Sequence, residues 1–231
     1  TATMAEMLEI VNNTGAVFTT APNYAVTISD TSSATNVNIV AGDTTGVVTA
    51  TVTEDTTANL NSALTNSTSA DALTLTITDT SLSSLTNLLA LDTKTSVAVN
   101  ASSITSITET YANLNTAYSS AGISGLGNEA VTITDTQSAT NVNTILGKTT
   151  GVVTATVGTD TAANLNSALT NATSTDALTL TVSAGSVAAT DLTALDNKTS
   201  VAVNAAAVTA LIGTAAEIQA AYTANTAGTI S

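Results

Sequence analysis

The chain lacks the side chains on which most active sites and soft-metal sites depend. It has no Cys and no His, and its only basic side chains are three lysines. Without Cys it can form neither a disulfide nor a thiolate metal site, and without His it has no imidazole ligand or base. A Ser or Thr nucleophile would therefore lack the usual activating base. We predict no catalytic residues, no bound organic cofactor and no enzymatic activity.

Positive charge is also scarce. Seventeen acidic residues face three lysines, which gives a net charge of −14. Nucleic-acid binding and docking on anionic lipid both need cationic groups, so we expect neither. The chain also lacks an apolar run of the roughly 18 residues that suggests a transmembrane helix, so we expect no membrane insertion. An acidic chain of this kind is soluble and attracts cations.

An internal repeat dominates the sequence. The segment 47–66 reads VVTATVTEDTTANLNSALTN and the segment 152–171 reads VVTATVGTDTAANLNSALTN, with 17 of 20 positions identical at an offset of 105. Near the start, TMAEMLEI resembles GTAAEIQAAY at 213–222. We therefore divide the chain into residues 1–24, the tail of a preceding repeat, residues 25–129, a first full repeat of about four coils, and residues 130–231, a second repeat. An array of this kind favours a longer parent protein.

A shorter period lies inside each repeat. Strand-like runs recur at intervals of about 22–34 residues, the range of stacked repeat units, and they begin at Val26, Val48, Leu73, Val97, Val131, Val153, Leu178 and Val201. Each run alternates apolar and Thr residues, as LTLTIT does from Leu73, which is typical of a strand with one buried face. Between the runs, apolar residues recur at helical spacing, and the longest such stripe comprises Ile104, Ile107, Tyr111, Leu114 and Tyr118.

These patterns predict an α/β solenoid. A parallel β-sheet would lie on one side and short helices on the other, with one strand and one helix in each coil of about 22–34 residues. The longer interval after Val97 ends in a Gly-rich return at 121–128, where we expect a bulge or a changed turn. Asp30, Asp55 and Asp79 follow their strands at places where a carboxylate could cap the next helix.

Aspartates at the predicted turns are the candidate metal ligands. Calcium prefers six to eight oxygen ligands, and an acidic rod could bind it between stacked coils. The chain has neither an EF-hand loop nor a glycine-rich calcium nonapeptide, so diffuse counter-ion binding competes with a specific site. The candidate residues are Asp30, Asp55, Asp71, Asp135, Asp160 and Asp176.

Outward-facing threonines form the other surface pattern. We expect Thr49 and Thr51 to stack on Thr74 and Thr76 in the neighbouring strand. Such Thr-x-Thr rows resemble the ice-binding face of solenoid antifreeze proteins. Ala98 and Ala202 interrupt the rows, and Thr is also simply a good exposed strand residue in a chain with few charges.

Several phrases resemble a known group of proteins. TTGVVTATV, TDALTLTV, ALDNKTSVAVNA, LIGTAAEIQAAYT and AGISGLGNEAVTI are similar to Thr/Ala-rich tandem repeats of giant cell-surface and secreted proteins of marine cyanobacteria and other aquatic bacteria. The resemblance implies an extracellular or cell-surface location and a structural or adhesive role, and it carries no catalytic residues.

Two functions follow as hypotheses. The first is an extracellular structural repeat, a spacer, sheath or fibre segment, whose partners are neighbouring repeats or further copies stacked head to tail. The alternative is a surface adhesin that binds calcium, a carbohydrate or another surface, ice included.

Overall fold

The computed structural model describes residues 1–12 and 23–231. In this part the chain forms nine α-helices and twelve short β-strands. The helices are α1 (Met4–Asn12), α2 (Ala34–Asp43), α3 (Thr57–Ala63), α4 (Thr86–Asp92), α5 (Tyr111–Ser119), α6 (Ala139–Leu146), α7 (Ala162–Ala168), α8 (Ala189–Asp196) and α9 (Ala215–Ala227). The strands are β1 (Val26–Thr27), β2 (Val48–Thr51), β3 (Ala72–Thr74), β4 (Ser81–Leu82), β5 (Val99–Asn100), β6 (Ser106–Glu109), β7 (Ile123–Ser124), β8 (Ala130–Ile133), β9 (Val153–Thr156), β10 (Ala177–Thr179), β11 (Gly185–Ala188) and β12 (Val208–Ile212).

Two compact units make up the chain. Unit 1 consists of Thr1–Ile104 with Ala117–Leu126, and unit 2 consists of Thr105–Thr116 with Gly127–Ser231. The repeat boundaries after residues 24 and 129 stay a prediction. Residues 13–22 of the predicted leading tail lie outside the described residues.

Alternation decides which face of each strand is buried. Val48, Ala50 and Val52 are at most 3% exposed, whereas the threonines between them are exposed. In the next strand region, Leu73, Leu75 and Ile77 are at most 1% exposed. Branched side chains suit the pleated backbone, and burying each large one contributes about 1.5–3 kcal/mol.

The strand pairs of unit 1 are parallel. β1, β2 and β3 form one sheet in that order, with Val26 opposite Val48 and Ala50 opposite Leu73. β5 pairs with β7 in a second, two-stranded sheet. In a parallel pair a crossover must connect the strands, and here a helix lies in each connection.

Unit 2 has the same organisation. β6, β8, β9 and β10 lie side by side in that order, all parallel. β11 pairs with β12, also in parallel, with one register irregularity after Gly185. The predicted α/β class with parallel sheets is confirmed.

Partner strands are separated by a nearly constant number of residues along the chain. Val26 lies opposite Val48, Ala50 opposite Leu73, and Val99 opposite Ile123. In unit 2, Val131 lies opposite Val153 and Ala155 opposite Leu178. Each partner therefore follows about 22–24 residues later, a spacing in the range of stacked repeat units. Each of these steps contains one helix.

The long interval from Val97 to Val131 contains strands that the sequence pattern did not reveal. In β6, Ser106 lies opposite Ala130 of β8, and in β7, Ile123 lies opposite Val99 of β5. At the Gly-rich return, Gly125 has φ 87°, a conformation that side chains with a Cβ rarely adopt. A glycine turn therefore lies at the return, the bulge or changed turn stays a prediction, and the strand spacing stays regular.

One predicted helix begins in the wrong place. The stripe starting at Ile104 predicts a helix through Ile107, but Ile107 lies in β6 and α5 begins at Tyr111. Ile104 and Ile107 are both 1% exposed. Buried residues three apart around a strand start imitate one helical turn, so the spacing alone misassigned them.

Short polar caps begin several helices. The side-chain hydroxyls of Ser33 and Thr56 accept hydrogen bonds from the backbone N–H groups of Asn36 and Asn59. The equivalent caps in unit 2 are Ser138 and Thr161. A hydroxyl at this position satisfies one of the unpaired N–H groups of the first turn, and replacing it with Ala costs about 1 kcal/mol. The Ser/Thr-x-x-Asn pattern is visible in the sequence and was missed.

Candidate functional site

Asp71 is the most buried of the candidate metal ligands in unit 1. Its side chain is 5% exposed, and both carboxylate oxygens accept backbone hydrogen bonds. The N–H of Val48 donates to Oδ1 at 2.8 Å, and the N–H of Thr68 donates to Oδ2 at 2.8 Å. The carboxylate therefore joins the start of β2 to the turn before β3. A buried carboxylate is tolerated when N–H groups replace its water ligands in this way.

Asp176 repeats this arrangement in unit 2. It is 4% exposed, and it accepts hydrogen bonds from the N–H groups of Val153 and Thr173, both at 2.9 Å. Burial and saturated hydrogen bonding leave these two aspartates as structural links between successive strands.

Asp30 and Asp135 cap helices, but not the helices that follow them. Oδ1 of Asp30 accepts the N–H of Met4 at 2.7 Å, at the start of α1. Oδ1 of Asp135 accepts the N–H of Tyr111 at 2.9 Å, at the start of α5. The expectation that Asp30 caps the next helix is wrong, because parallel stacking brings the end of one strand to the helix of the preceding step.

Asp79 shows the same relation within unit 1. Its Oδ2 accepts the N–H of Thr57 at 2.6 Å, at the first residue of α3. The helix that it caps therefore precedes it in the chain. A carboxylate at a helix N-terminus also interacts favourably with the helix dipole.

Asp55 and Asp160 stay close to their own helices. Oδ1 of Asp55 accepts the N–H of Thr56 at 2.7 Å and the side-chain amide of Asn59 at 2.8 Å. The Asn59 amide first, and the Thr56 N–H second, hold the pKa of Asp55 below its ordinary value. Asn164 and Thr161 lower the pKa of Asp160 in the same order. Both carboxylates lie at the surface.

The six candidate aspartates are therefore spread over separate turns. Within residues 1–12 and 23–231, no three acidic side chains come together in a group that could hold a metal ion. Calcium binding stays a prediction from composition, and the geometry assigns each of the six a hydrogen-bonding role.

Lys94 and Lys198 form a contact that sequence reasoning missed. Their Nζ atoms donate to the backbone carbonyl oxygens of Leu64 and Leu169, at 2.6 and 2.7 Å. These carbonyls lie at the C-terminal ends of α3 and α7. An ammonium group there donates to a carbonyl that has no partner within the helix, and its positive charge interacts favourably with the negative end of the helix dipole.

Tyr24 and Asp43 form a further polar contact in unit 1. The Tyr24 hydroxyl donates to Oδ2 of Asp43. Burial first, and then the hydrogen bond and charge of Asp43, raise the pKa of Tyr24 to about 12. At an offset of 105, the second repeat has Glu129 and Lys148 in place of this pair.

Glu129 is fully buried at its position in unit 2. It is 0% exposed, and its Oε2 accepts the N–H groups of Gly127 at 2.8 Å and Asn128 at 3.1 Å. Both repeats thus place a polar side chain here, although its chemistry differs.

The threonine rows are shorter than expected. Thr27 lies opposite Thr49 and Thr51 opposite Thr74, but Thr49 lies opposite Ala72. The predicted pairing of Thr49 with Thr74 is wrong by two residues. A two-residue shift keeps the same side chains on the same face, so alternation alone cannot fix this register.

Equivalent threonine pairs occur in unit 2. Thr132 lies opposite Thr154, and Thr156 opposite Thr179. Pairs rather than long rows therefore face solvent on both units, and ice binding stays a prediction from the sequence.

No family model, curated protein or solved structure matches this chain. Its function must therefore be argued from the contacts above. In the described part of the chain, no helix is both long and apolar enough to span a bilayer.

Proposed function

We propose that this chain is a segment of an extracellular structural repeat protein, built as an α/β solenoid and serving as a spacer, sheath or fibre segment. One strand and one helix form each coil, and each coil buries its apolar face against the next. The likeness of its phrases to bacterial surface repeats supports the location, and the contacts between successive strands support the architecture.

The observation that carries the proposal is the duplication of the contacts between successive steps. Asp71 links to the preceding strand through Val48, and Asp176 does the same through Val153. Lys94 reaches back to the carbonyl of Leu64 at the end of the preceding helix, and Lys198 repeats this contact. The repeated residues thus hold neighbouring layers of the chain together through hydrogen bonds.

Regular separation of partner strands supports the same proposal. A spacing of about 22–24 residues, with one helix in each step, is what a solenoid requires. Side chains buried between such layers are supplied by neighbours, so adding repeats lengthens the stack without a new core. This organisation favours a protein that gains length by adding repeats over a protein built around one binding or catalytic site.

Insertion of a further repeat tests the architecture. A second copy of residues 25–129 placed after residue 129 should increase the longest dimension by about 20 Å, since strands stack about 4.8 Å apart. Small-angle scattering and negative-stain electron microscopy would measure the length and the cross-section. A cross-section that widens while the length stays constant would contradict the solenoid.

Location is tested separately. Antibodies raised against the purified protein should label intact cells of the source organism without permeabilisation. Labelling only after the cells are opened would contradict the extracellular role, whatever the outcome of the length measurement.

A further inference from the structure

Four buried threonines lie at equivalent places in the loops that lead into a strand region. These entry threonines are Thr44 and Thr95 in unit 1 and Thr149 and Thr199 in unit 2, and each is at most 8% exposed. Each lies four residues before a fully buried valine: Val48, Val99, Val153 or Val203. Each hydroxyl accepts the N–H of the residue two positions later, at 2.9–3.0 Å, which holds it inside its loop.

The same hydroxyls also reach a distant part of the same unit. Each donates to a carbonyl oxygen that lies 20–22 residues earlier in the chain, at 2.5–2.8 Å. The acceptors are Tyr24 for Thr44, Leu73 for Thr95, Glu129 for Thr149 and Leu178 for Thr199. One buried oxygen therefore connects the beginning of a strand region to one particular residue of the preceding step.

Thr95 and Thr199 bind both backbone groups of their partner residue. The Thr95 hydroxyl accepts the N–H of Leu73 at 2.9 Å and donates to the carbonyl oxygen of Leu73 at 2.8 Å. Thr199 makes the same two contacts with Leu178, at 3.0 and 2.8 Å. In a parallel sheet these two groups bond to the backbone of the neighbouring strand. A side-chain hydroxyl here takes the place of that backbone.

These contacts distinguish registers that the apolar pattern does not. A shift of two residues between partner strands keeps the same side chains on the buried face. It would, however, move Thr95 away from Leu73 and leave both backbone groups of this fully buried residue without the hydroxyl. A shift toward Asp71 would bring the hydroxyl to an N–H that already donates to the carbonyl oxygen of Thr68, at 3.0 Å. Losing a buried hydrogen bond is costly, so the native register is favoured.

We propose that the entry threonines select the register of the strand regions that follow them. Alternation of apolar residues decides which face is buried, and the hydroxyl decides which residue of that face meets which partner. A chain of repeated strands has many registers of similar apolar content, and this device excludes the nearest of them. The inference rests on strand pairing within each unit and does not depend on an extracellular location.

Cysteine pairs can report the register on the full chain, which has no native cysteine. Thr76 lies directly opposite Asn100 in unit 1, so Thr76→Cys with Asn100→Cys reports the native register. Thr74→Cys with Asn100→Cys reports a shift of two residues. In the native register the second pair lies about 8 Å apart between Cα atoms. A disulfide spans at most about 7 Å, so this pair forms a bond only after a shift.

The expected result is a change in the ratio of the two disulfides. After refolding from urea and mild oxidation, the native pair should form at least ten times more disulfide than the shifted pair, as measured by intact mass after alkylation of free thiols. Thr95→Val keeps the shape of the side chain but removes the hydroxyl, and it should lower this ratio at least threefold. Thr95→Ser keeps the hydroxyl and should retain most of the ratio.

Thr93→Val is the matched control. It removes an exposed hydroxyl two residues away, which donates to the carbonyl oxygen of Ala90 at the end of α4 rather than to an earlier strand. The ratio should therefore stay unchanged. An equal ratio in Thr95→Val and Thr93→Val, at native helix content, would overturn the proposal. A fall in stability without more shifted disulfide would do the same, because it would make Thr95 a stabilising residue only.

Unit 2 supplies a second variant if Thr95→Val loses its helix content. Thr181 lies opposite Asn204, so Thr181→Cys with Asn204→Cys reports the native register there, and Thr179→Cys with Asn204→Cys reports the shift. Thr199→Val should lower their ratio in the same way. Loss of helix content in both valine variants would also overturn the proposal, since the device acts on strand pairing. The repeat-insertion measurement does not depend on either ratio.

Discussion

Individual residues show where the two repeats have diverged. Tyr24 and Asp43 in the first repeat give way to Glu129 and Lys148 in the second, although the sequence between and around them is largely repeated. In the first repeat the two side chains hydrogen-bond to each other, whereas Glu129 accepts the backbone N–H groups of Gly127 and Asn128.

Tyr24 gives the first prediction. Its folded pKa of about 12 means that the neutral phenol is favoured in the folded state. The stability that this supplies is present below about pH 10, the ordinary pKa of tyrosine, and is lost as the pH rises through about 12. Ultraviolet difference absorbance should show a tyrosine that ionises at about pH 12, and Tyr24→Phe should remove that step. Loss of the late step in Tyr222→Phe instead would contradict the assignment.

Asp55 gives a second prediction at this scale. Asn59→Ala removes the largest cause of its lowered pKa, so the pKa of Asp55 should rise toward its ordinary value. A lowered pKa stabilises the fold above the ordinary value, and that contribution is lost as the pH falls through the folded value. NMR titration of the carboxyl carbon would measure the shift. Asn164→Ala should act equally on Asp160, and neither change should move the other aspartate.

At the scale of elements, links between successive strands and helices hold the layers in register. Asp71 connects β2 to the turn before β3, and Lys94 connects the end of α3 to the loop after α4. Thr95 adds a third link, since its buried hydroxyl accepts the N–H of Leu73 at 2.9 Å and donates to the Leu73 carbonyl at 2.8 Å. Side chains thus continue the sheet where backbone pairing stops.

Removing one link gives the third prediction. Asp71→Ala leaves the buried N–H of Val48 without its acceptor, so the free energy of unfolding should fall by about 2 kcal/mol or more. Urea denaturation would measure it. Asp71→Asn keeps one acceptor oxygen and should cost less, and Asp176→Ala should reproduce the effect in unit 2. Glu54→Ala, which removes an exposed carboxylate of the same unit, should change stability by less than about 0.5 kcal/mol. Equal losses from Asp71→Ala and Glu54→Ala would contradict the assigned role.

At the scale of the whole molecule, the net charge and the salt concentration affect the stability of the fold more than any single pair of charged residues does. A charge of −14 on 231 residues makes the acidic side chains repel one another. Salt screens this repulsion, and the screening length falls from about 10 Å at 0.1 M to about 3 Å at 1 M ionic strength. The acidic side chains described above are dispersed, so this repulsion is general rather than confined to one cluster. Screening should therefore stabilise the fold whatever the cation.

This gives the fourth prediction, which also separates the structural role from a calcium-dependent adhesin. The unfolding temperature should rise with NaCl, and CaCl₂ at equal ionic strength should give the same rise. Differential scanning calorimetry would measure both. A rise that saturates at stoichiometric calcium and disappears in Asp30→Asn or Asp135→Asn would instead establish a specific site and favour the adhesin.

Local pattern predicted some features and misassigned others for identifiable reasons. The burial of Val48, Ala50 and Val52 followed from alternation, because a strand turns every second side chain to the same face. The strand character of Ile107 did not follow, because its spacing from Ile104 and Tyr111 also fits a helix. The turn positions of Asp30 and Asp71 were predicted, but their partners were not, since each partner lies more than 20 residues away in the chain.

By itself, the sequence determined the long internal repeat, the α/β class and the inward face of each strand, because all three rest on local spacing and self-similarity. Only the tertiary structure decided that Thr51 rather than Thr49 lies opposite Thr74, that Asp30 caps the helix before it, and that β6 and β7 lie within the longest interval. A shift of two residues preserves the buried face, so the choice of register depends on packing and hydrogen bonds between segments distant in the chain.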